Sequence, residues 1–201
     1  MPTTLVEPVE NIVDASTGPR RKKWTREEMA ALEQSGIIDV EHLELVEGEL
    51  YDTIGKHLPH VNTLHRFLIR LFEIFGVTRV TQERPIEVAL KDRPFNEPQP
   101  DIVVLNRSFE AFTSVPQPDD LSLVVEISDT TLRFDLRTKA AVYARTGIAD
   151  YWVVDVNGRK LIVHREPKQG RYSSIVAYGA DESVSPLAAP EHSVEVGSLF
   201  T

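Results

Sequence analysis

An α+β fold built on a mixed sheet is what this sequence predicts, from three features. The runs DIVVL, LSLVVEIS, YWVVDV and KLIVHR are short, rich in β-branched residues and separated by turn residues, as strands are. HVNTLHRFLIRLFEIFG instead repeats its apolar residues at the helical period. DLRTKAAVYART, a run of good helix formers, lies between LSLVVEIS and YWVVDV, so strand, helix and strand follow one another as a crossover unit.

Residues 1–23 mix proline and small polar residues with the cluster Arg20-Arg21-Lys22-Lys23 and show no sustained period, so they read as a tail. The cluster can touch phosphate; the plainer reading is a solvated terminus. From Thr25, TREEMAALEQSG carries a capping box between Thr25 and Glu28, with Gly36 as its stop. HLELVEGELYDT alternates like the first strand of a hairpin or meander. In the next helix Val61, Leu64, Leu68, Leu71 and Phe75 share one face, which packs on a sheet. RVTQ and IEVAL read as strands before the proline-rich turn DRPFNEPQP. Asp135 caps and Gly147 ends a helix over 135–146. Asn157-Gly158 signals a two-residue hairpin turn into KLIVHR, and SSIVAY supplies a further strand. Residues 24–201 thus form one domain.

Composition narrows the function. The 201 residues carry 22 Lys plus Arg against 31 Asp plus Glu, a net charge of −9, which excludes a polycation that holds nucleic acid by bulk charge. There is no cysteine, hence no disulfide framework, thiolate zinc site or cysteine nucleophile. No apolar run approaches the ~20 residues that span a bilayer, and a soluble cytoplasmic protein is the expectation. The G-x-S-x-G elbow, the Walker loop and G-x-G-x-x-G are all missing, which argues against serine acyl transfer and glycine-loop nucleotide binding.

Two carboxylates stand out. Glu126 sits inside Leu123-Val124-Val125-Glu126-Ile127, where an unpaired buried carboxylate costs roughly several kcal/mol. Asp101 follows Pro100 at the mouth of DIVVL; taken alone it is an ordinary turn residue. On neighbouring strands the two can aim at one point, where their repulsion calls for a divalent ion, and Mg²⁺ or Mn²⁺ suits such an oxygen site. Asp135, Lys139 and Tyr143 fall at i, i+4 and i+8, so Lys139 can lean over Glu126 and orient a water or stabilise a phosphoryl oxygen. The plainer alternative is a surface ion pair between Asp135 and Lys139. A glycosidase also uses two carboxylates, but leaves Lys139 without a role.

Pro100-Asp101, Glu126-Ile127-Ser128, Asp135, Lys139, Tyr143 and the stretch TGIADYWVVD together resemble the PD-(D/E)XK nuclease superfamily. More narrowly, they are similar to its Uma (DUF820-type) family of restriction-endonuclease-like bacterial proteins. ELVEGEL at 44–50 and His60 at the start of a long helix fit as well, and the resemblance runs from about Trp24 to about Arg165. It implies a restriction-endonuclease-like mixed sheet flanked by helices, and an Mg²⁺- or Mn²⁺-dependent endonuclease acting on DNA, with homo-oligomers common. Asp101, Glu126 and the Ile127 carbonyl would hold the ion. The usual E-x-K has Ser128 where its lysine stands, so Lys139 would be that lysine migrated to the helix. Asp129 replaces a proline common in the family.

Further residues carry two readings each. Glu44 or Glu47 can complete the ion's shell, but alternation puts them on opposite faces; Glu44 is preferred. His60 can contact phosphate or the ion's shell, or simply cap its helix, and His57 with His60 makes a weak metal pair. Tyr143 either braces Lys139 or Glu126 or is core; Tyr151 and Trp152 serve packing or a dimer face; Gln82 near the sheet centre can support the site. Arg133, Arg137, Lys139 and Arg145 against Asp135 make the helix locally basic, with Arg133 and Arg137 assigned to substrate. The rival function is a non-catalytic module of the same fold that binds nucleic acid or assembles. Nothing in the chain reads a base or a 2′-hydroxyl, so RNA stays beside DNA as substrate.

Overall fold

Thr25 caps helix α1 (Arg26–Ser35) by the expected reciprocal box: its hydroxyl accepts the Glu28 amide, and the Glu28 carboxylate accepts the Thr25 amide. The computed structural model describes residues 20–36, 39–40, 42–53 and 55–200, so most of the predicted tail lies outside it. At its end, Arg21 pairs with Glu49 and Lys22 with Glu28. Strands β1 (Leu43–Val46) and β2 (Glu49–Asp52) divide the run read as a single strand into a two-stranded hairpin that turns at Glu47-Gly48.

Helix α2 (Leu58–Phe75) lays Leu64, Leu68, Leu71 and Phe75 on the sheet as the period demands. Phe67, outside the expected stripe, is fully buried and stacks on Trp152 with ring centroids 6.0 Å apart, whereas Val61 is only half-buried.

Six strands then pair side by side in chain order: β3 (Val80–Gln82), β4 (Ile102–Leu105), β5 (Leu121–Ser128), β6 (Asp150–Asp155), β7 (Lys160–Lys168) and β8 (Arg171–Tyr178). Only β5 and β6 run parallel, because only between them does a helix carry the chain back across the sheet. That crossover helix, α3, comprises Leu132–Phe134, a π turn over Asp135–Lys139, and Ala140–Thr146. β9 (Ser183–Val184) and β10 (Val194–Glu195) make a small separate pair. The predicted mixed α+β sheet flanked by helices is therefore the observed fold.

The core has two sides, set by strand alternation. Leu123, Val125 and Ile127 of β5 face α2, with Ile102, Val104, Trp152 and Val154 beside them. Val124 faces α3, with Val103, Leu105, Tyr151 and Val153. Among the described residues no helix is long and apolar enough to cross a membrane.

Local readings differ at further places. Asp135 does not cap α3: the helix starts at Leu132 after Thr131, and Asp135 stands inside it in the π turn. IEVAL is not a strand: Ile86 and Glu87 give their amides to the Pro98 and Pro116 carbonyls, and prolines return no N–H with which to build a ladder. Gln82 lies exposed on β3 at the sheet edge, not near its centre. Four residues, not two, join β6 to β7, since Asp155 pairs with Lys160. Asp155 Oδ1 accepts the Gly158 amide, and a Cβ on Gly158 would lie 2.1 Å from Asp155 Oδ2, so that carboxylate shapes the turn and requires the glycine.

Candidate active site

Alternation along β5 puts Glu126 and Ser128 on the face that Val124 shows to α3. The register Ile102↔Val125, extended by one residue, brings Asp101 level with Glu126. Asp101 Oδ2 accepts the Ile127 amide at 2.7 Å, so the turn after Pro100 is tied to the strand carrying Glu126. Val156 donates its amide to the Ser128 carbonyl on the β6 side, and alternation of the backbone turns the Ile127 carbonyl the other way, beyond the end of β4.

Lys139 reaches this point from α3. Its Nζ is 2.9 Å from Glu126 Oε1 and 2.9 Å from Glu44 Oε1, all three side chains being buried. Glu44 stands on β1 and also accepts the Gln99 amide, whereas Glu47 sits in the hairpin turn and pairs with Arg145. Of the two candidates only Glu44 meets the others, as preferred; Glu47 lies beyond the end of β1, where alternation does not apply. Tyr143 is fully buried, and its hydroxyl donates to Glu126 Oε1 at 2.8 Å, so it is both core and brace.

The surface-pair alternative for Asp135 and Lys139 is overturned, because both are buried. Asp135 Oδ2 accepts from Ser128 Oγ at 2.7 Å and Thr131 Oγ1 at 2.6 Å, while its main-chain carbonyl accepts the Tyr151 hydroxyl. The same carbonyl takes the Ala140 amide, the longer-period bond that defines the π turn. Trp152 is fully covered within the chain, which assigns it to packing, not a dimer face.

On the opposite side, Asp101 Oδ1 meets Lys56 Nζ at 2.8 Å and His60 Nε2 at 3.3 Å. His57 turns instead to Asp129, at 3.5 Å, so the two histidines do not form a metal pair. Among the described residues no three His, Cys, Asp or Glu side chains gather round one point as ligands.

The electrostatics follow from burial. Desolvation raises the carboxyls of Glu44, Glu126 and Asp135 above their ordinary values, Glu126 most clearly, with Lys139 opposing the rise at each. Burial also pushes Asp101 up, but the His60 hydrogen bond and the Lys56 charge outweigh it and hold that carboxyl below its usual range. Lys139 is raised, because Glu126, Glu44 and Asp135 outweigh its own desolvation. Four buried carboxyls, Glu44, Asp101, Glu126 and Asp135, face two ammoniums, Lys56 and Lys139. With all ionised, the cluster is two charges too negative.

These groups line one cleft of about 710 Å³, walled by the β1–β2 hairpin, the start of α2, the end of β5 and α3. Arg133 and Arg137 lie outside it, exposed on α3 along a neighbouring groove that shares Thr130, Thr131 and Phe134 with the cleft. Arg145 is withdrawn from the site by Glu47 and Asp92, so the basic stretch of α3 contributes only two outward cations here. Lys56 was not legible in the sequence, since no local pattern announces a contact across 45 residues, whereas Thr131, four residues before Asp135, was within reach of a local reading. Ser128 was legible in principle, two residues from Glu126 on the same face.

Residues 26–197 match the family model Uma2, described as "Putative restriction endonuclease". No curated protein matches the chain. Its structure is similar to the crystal structure of "a putative nuclease belonging to DUF820 from Anabaena variabilis ATCC 29413". The TM-score is 0.65 at 16% identity, over 88% of this chain and 97% of the other, a likeness of fold.

Proposed function

This chain belongs to the Uma2 family, and on that premise we propose that it is a metal-dependent endonuclease hydrolysing DNA phosphodiester bonds in the cleft. The observation that carries the reading is the meeting of Asp101, Glu126 and Lys139 in one buried cluster that is two charges too negative when all its carboxyls are ionised. One divalent ion would offset most of that charge. The donors fit Mg²⁺ or Mn²⁺: such an ion is held by one or two carboxylates and keeps several waters, so Asp101, Glu126 and the Ile127 carbonyl suffice without a third acidic ligand. Once bound, the ion would polarise the scissile phosphate and lower the pKa of an attacking water.

The side chains supply the rest. Lys139 has three N–H donors, of which two meet Glu44 and Glu126; the third is left for the attacking water or a phosphoryl oxygen as charge gathers on it. Glu44 holds that ammonium in place and can complete the ion's shell through water. Both carbonyl and carboxylate donors stand on strand ends, which keeps their geometry rigid, while His60 braces Asp101. Arg133 and Arg137 bind the phosphates that flank the scissile one. The lysine of this site thus acts from a helix rather than from the strand position that Ser128 occupies.

Purified protein incubated with supercoiled plasmid and Mg²⁺ or Mn²⁺ tests the reading. Ion-dependent nicking that is lost in Asp101→Asn and Lys139→Ala, with the DNA retention that wild type shows in divalent-free buffer preserved in both, is the expected result. A wild-type protein that retains DNA yet never nicks it, or RNA, with any divalent ion is the non-catalytic module.

A further inference from the structure

Lys56 holds Asp101 from a part of the chain that the nuclease pattern does not include. It lies in the connection between β2 and α2, 45 residues from Asp101 in sequence. Its ammonium also meets Glu83 Oε1, so it bridges two unlike carboxylates: the Asp101 side chain is 10% exposed, that of Glu83 48%.

The connection is fixed at both ends. The Thr53 amide and hydroxyl both donate to the His42 carbonyl, and α2 begins at Leu58. Between them Gly55 adopts φ +101°, a left-handed value that other residues avoid, and no described atom lies within 4 Å of where its Cβ would stand. The chain thus turns at a glycine just before Lys56, and the flexible four-carbon stem of the lysine gives its ammonium the reach to pass between Asp101 and Glu83.

Asp101 Oδ2 is committed to the Ile127 amide. The ammonium of Lys56 rests on the other oxygen, beside His60 Nε2 at 3.3 Å, and a divalent ion shared with Glu126 would compete with it there, since two cations on one oxygen repel strongly. We propose that Lys56 is the exchangeable counter-ion of Asp101: an entering divalent ion displaces its ammonium to the rim, where Glu83 retains it and it donates to a phosphate of the bound strand. This rests on Asp101 being an ion ligand. Ion binding then frees a phosphate-binding group, and by linkage nucleic acid tightens the ion.

The test uses the intact protein. Mn²⁺ binding is followed by electron paramagnetic resonance, and acylation of each lysine by an amine-reactive ester is followed by mass spectrometry with and without saturating Mn²⁺. Lys56 should react several-fold faster when the ion is bound, while the exposed Lys91 and Lys160 keep their rates. Lys56→Met should bind Mn²⁺ several-fold more tightly than wild type, yet lose most of the gain in DNA affinity that Ca²⁺ confers on wild type. If Asp101→Asn abolishes Mn²⁺ binding but Lys56 reactivity is unchanged or lower with the ion, the exchange is wrong and the ion site stands. If wild type binds no Mn²⁺, or Asp101→Asn binds it equally, the ion site itself fails and the exchange with it.

Discussion

Ser128 donates a hydrogen bond to Asp135 across 2.7 Å, with both side chains buried. The strand residue two positions after Glu126 thus ties down the helix that carries Lys139 to Glu126 and Glu44. Thr131 makes a second bond to the same oxygen. Ser128→Ala should destabilise the protein by about 1–2 kcal/mol, as for a lost hydrogen bond to a buried charged group only partly compensated by its other donor. Urea unfolding at neutral pH measures this, and a change near zero would show that the bond does not anchor the helix.

Glu126 is held above its ordinary carboxyl value of 4.5 by burial. The folded state therefore binds this proton more tightly than the unfolded chain does, and stability falls as pH rises from about 4.5 through the raised value. Glu126→Gln keeps the shape and an oxygen for Tyr143 and Lys139 while removing the charge. In divalent-free buffer it should unfold at higher urea than wild type at pH 7.5, with the gap closing toward pH 5. A constant gap across that range would show that Glu126 titrates normally. Nicking should be lost, the usual opposition of stability and function at a charged site.

Lys139→Met leaves Glu44 and Glu126 buried without the ammonium that both share. Breaking a buried pair in this way costs about 3–5 kcal/mol. Added Mn²⁺ should recover part of the lost melting temperature, since the ion supplies the missing positive charge, while leaving cleavage at background. Calorimetry with and without Mn²⁺ reads the first effect and plasmid nicking the second; wild-type cleavage in this variant would remove Lys139 from the mechanism.

Arg133 and Arg137 are exposed beside the cleft rather than inside it. The double substitution to alanine should weaken DNA binding in Ca²⁺ and lower the slope of log affinity against log salt by about 2, roughly 1 per phosphate contact. Turnover of saturating substrate should change little. An unaltered salt slope would place the DNA elsewhere on the protein.

Much of the site was legible because it depends on strand alternation and adjacency. Glu126 amid apolar neighbours announces a compensated buried carboxylate, and the crossover unit places β5 beside β6 with α3 over them. The period of two allowed only one of Glu44 and Glu47 to reach the site, and the hairpin, which puts Glu47 in its turn, decided for Glu44. IEVAL was misread because its apolar residues are buried by loops, not by a ladder: composition reports burial and is silent on who receives the amides. The four-residue β6–β7 turn was missed because the Asp155 side chain, not the Asn-Gly pair alone, closes it. Arg145 was counted with the site from its place on the helix, whereas Glu47 and Asp92 draw it away.

What the sequence determined by itself is the main run of helices and strands and the need to compensate Glu126, since these follow from periodicity and from the cost of placing a carboxylate among apolar side chains. Tertiary structure alone decided which cation each carboxylate meets. Lys139 and Lys56 approach the same cluster from opposite walls, 83 positions apart in the chain, and nothing local distinguishes either from a solvated lysine. Coulomb attraction depends on distance in space, and burial sets its strength, so the pairing exists only once the hairpin, the sheet and α3 have closed around the cleft.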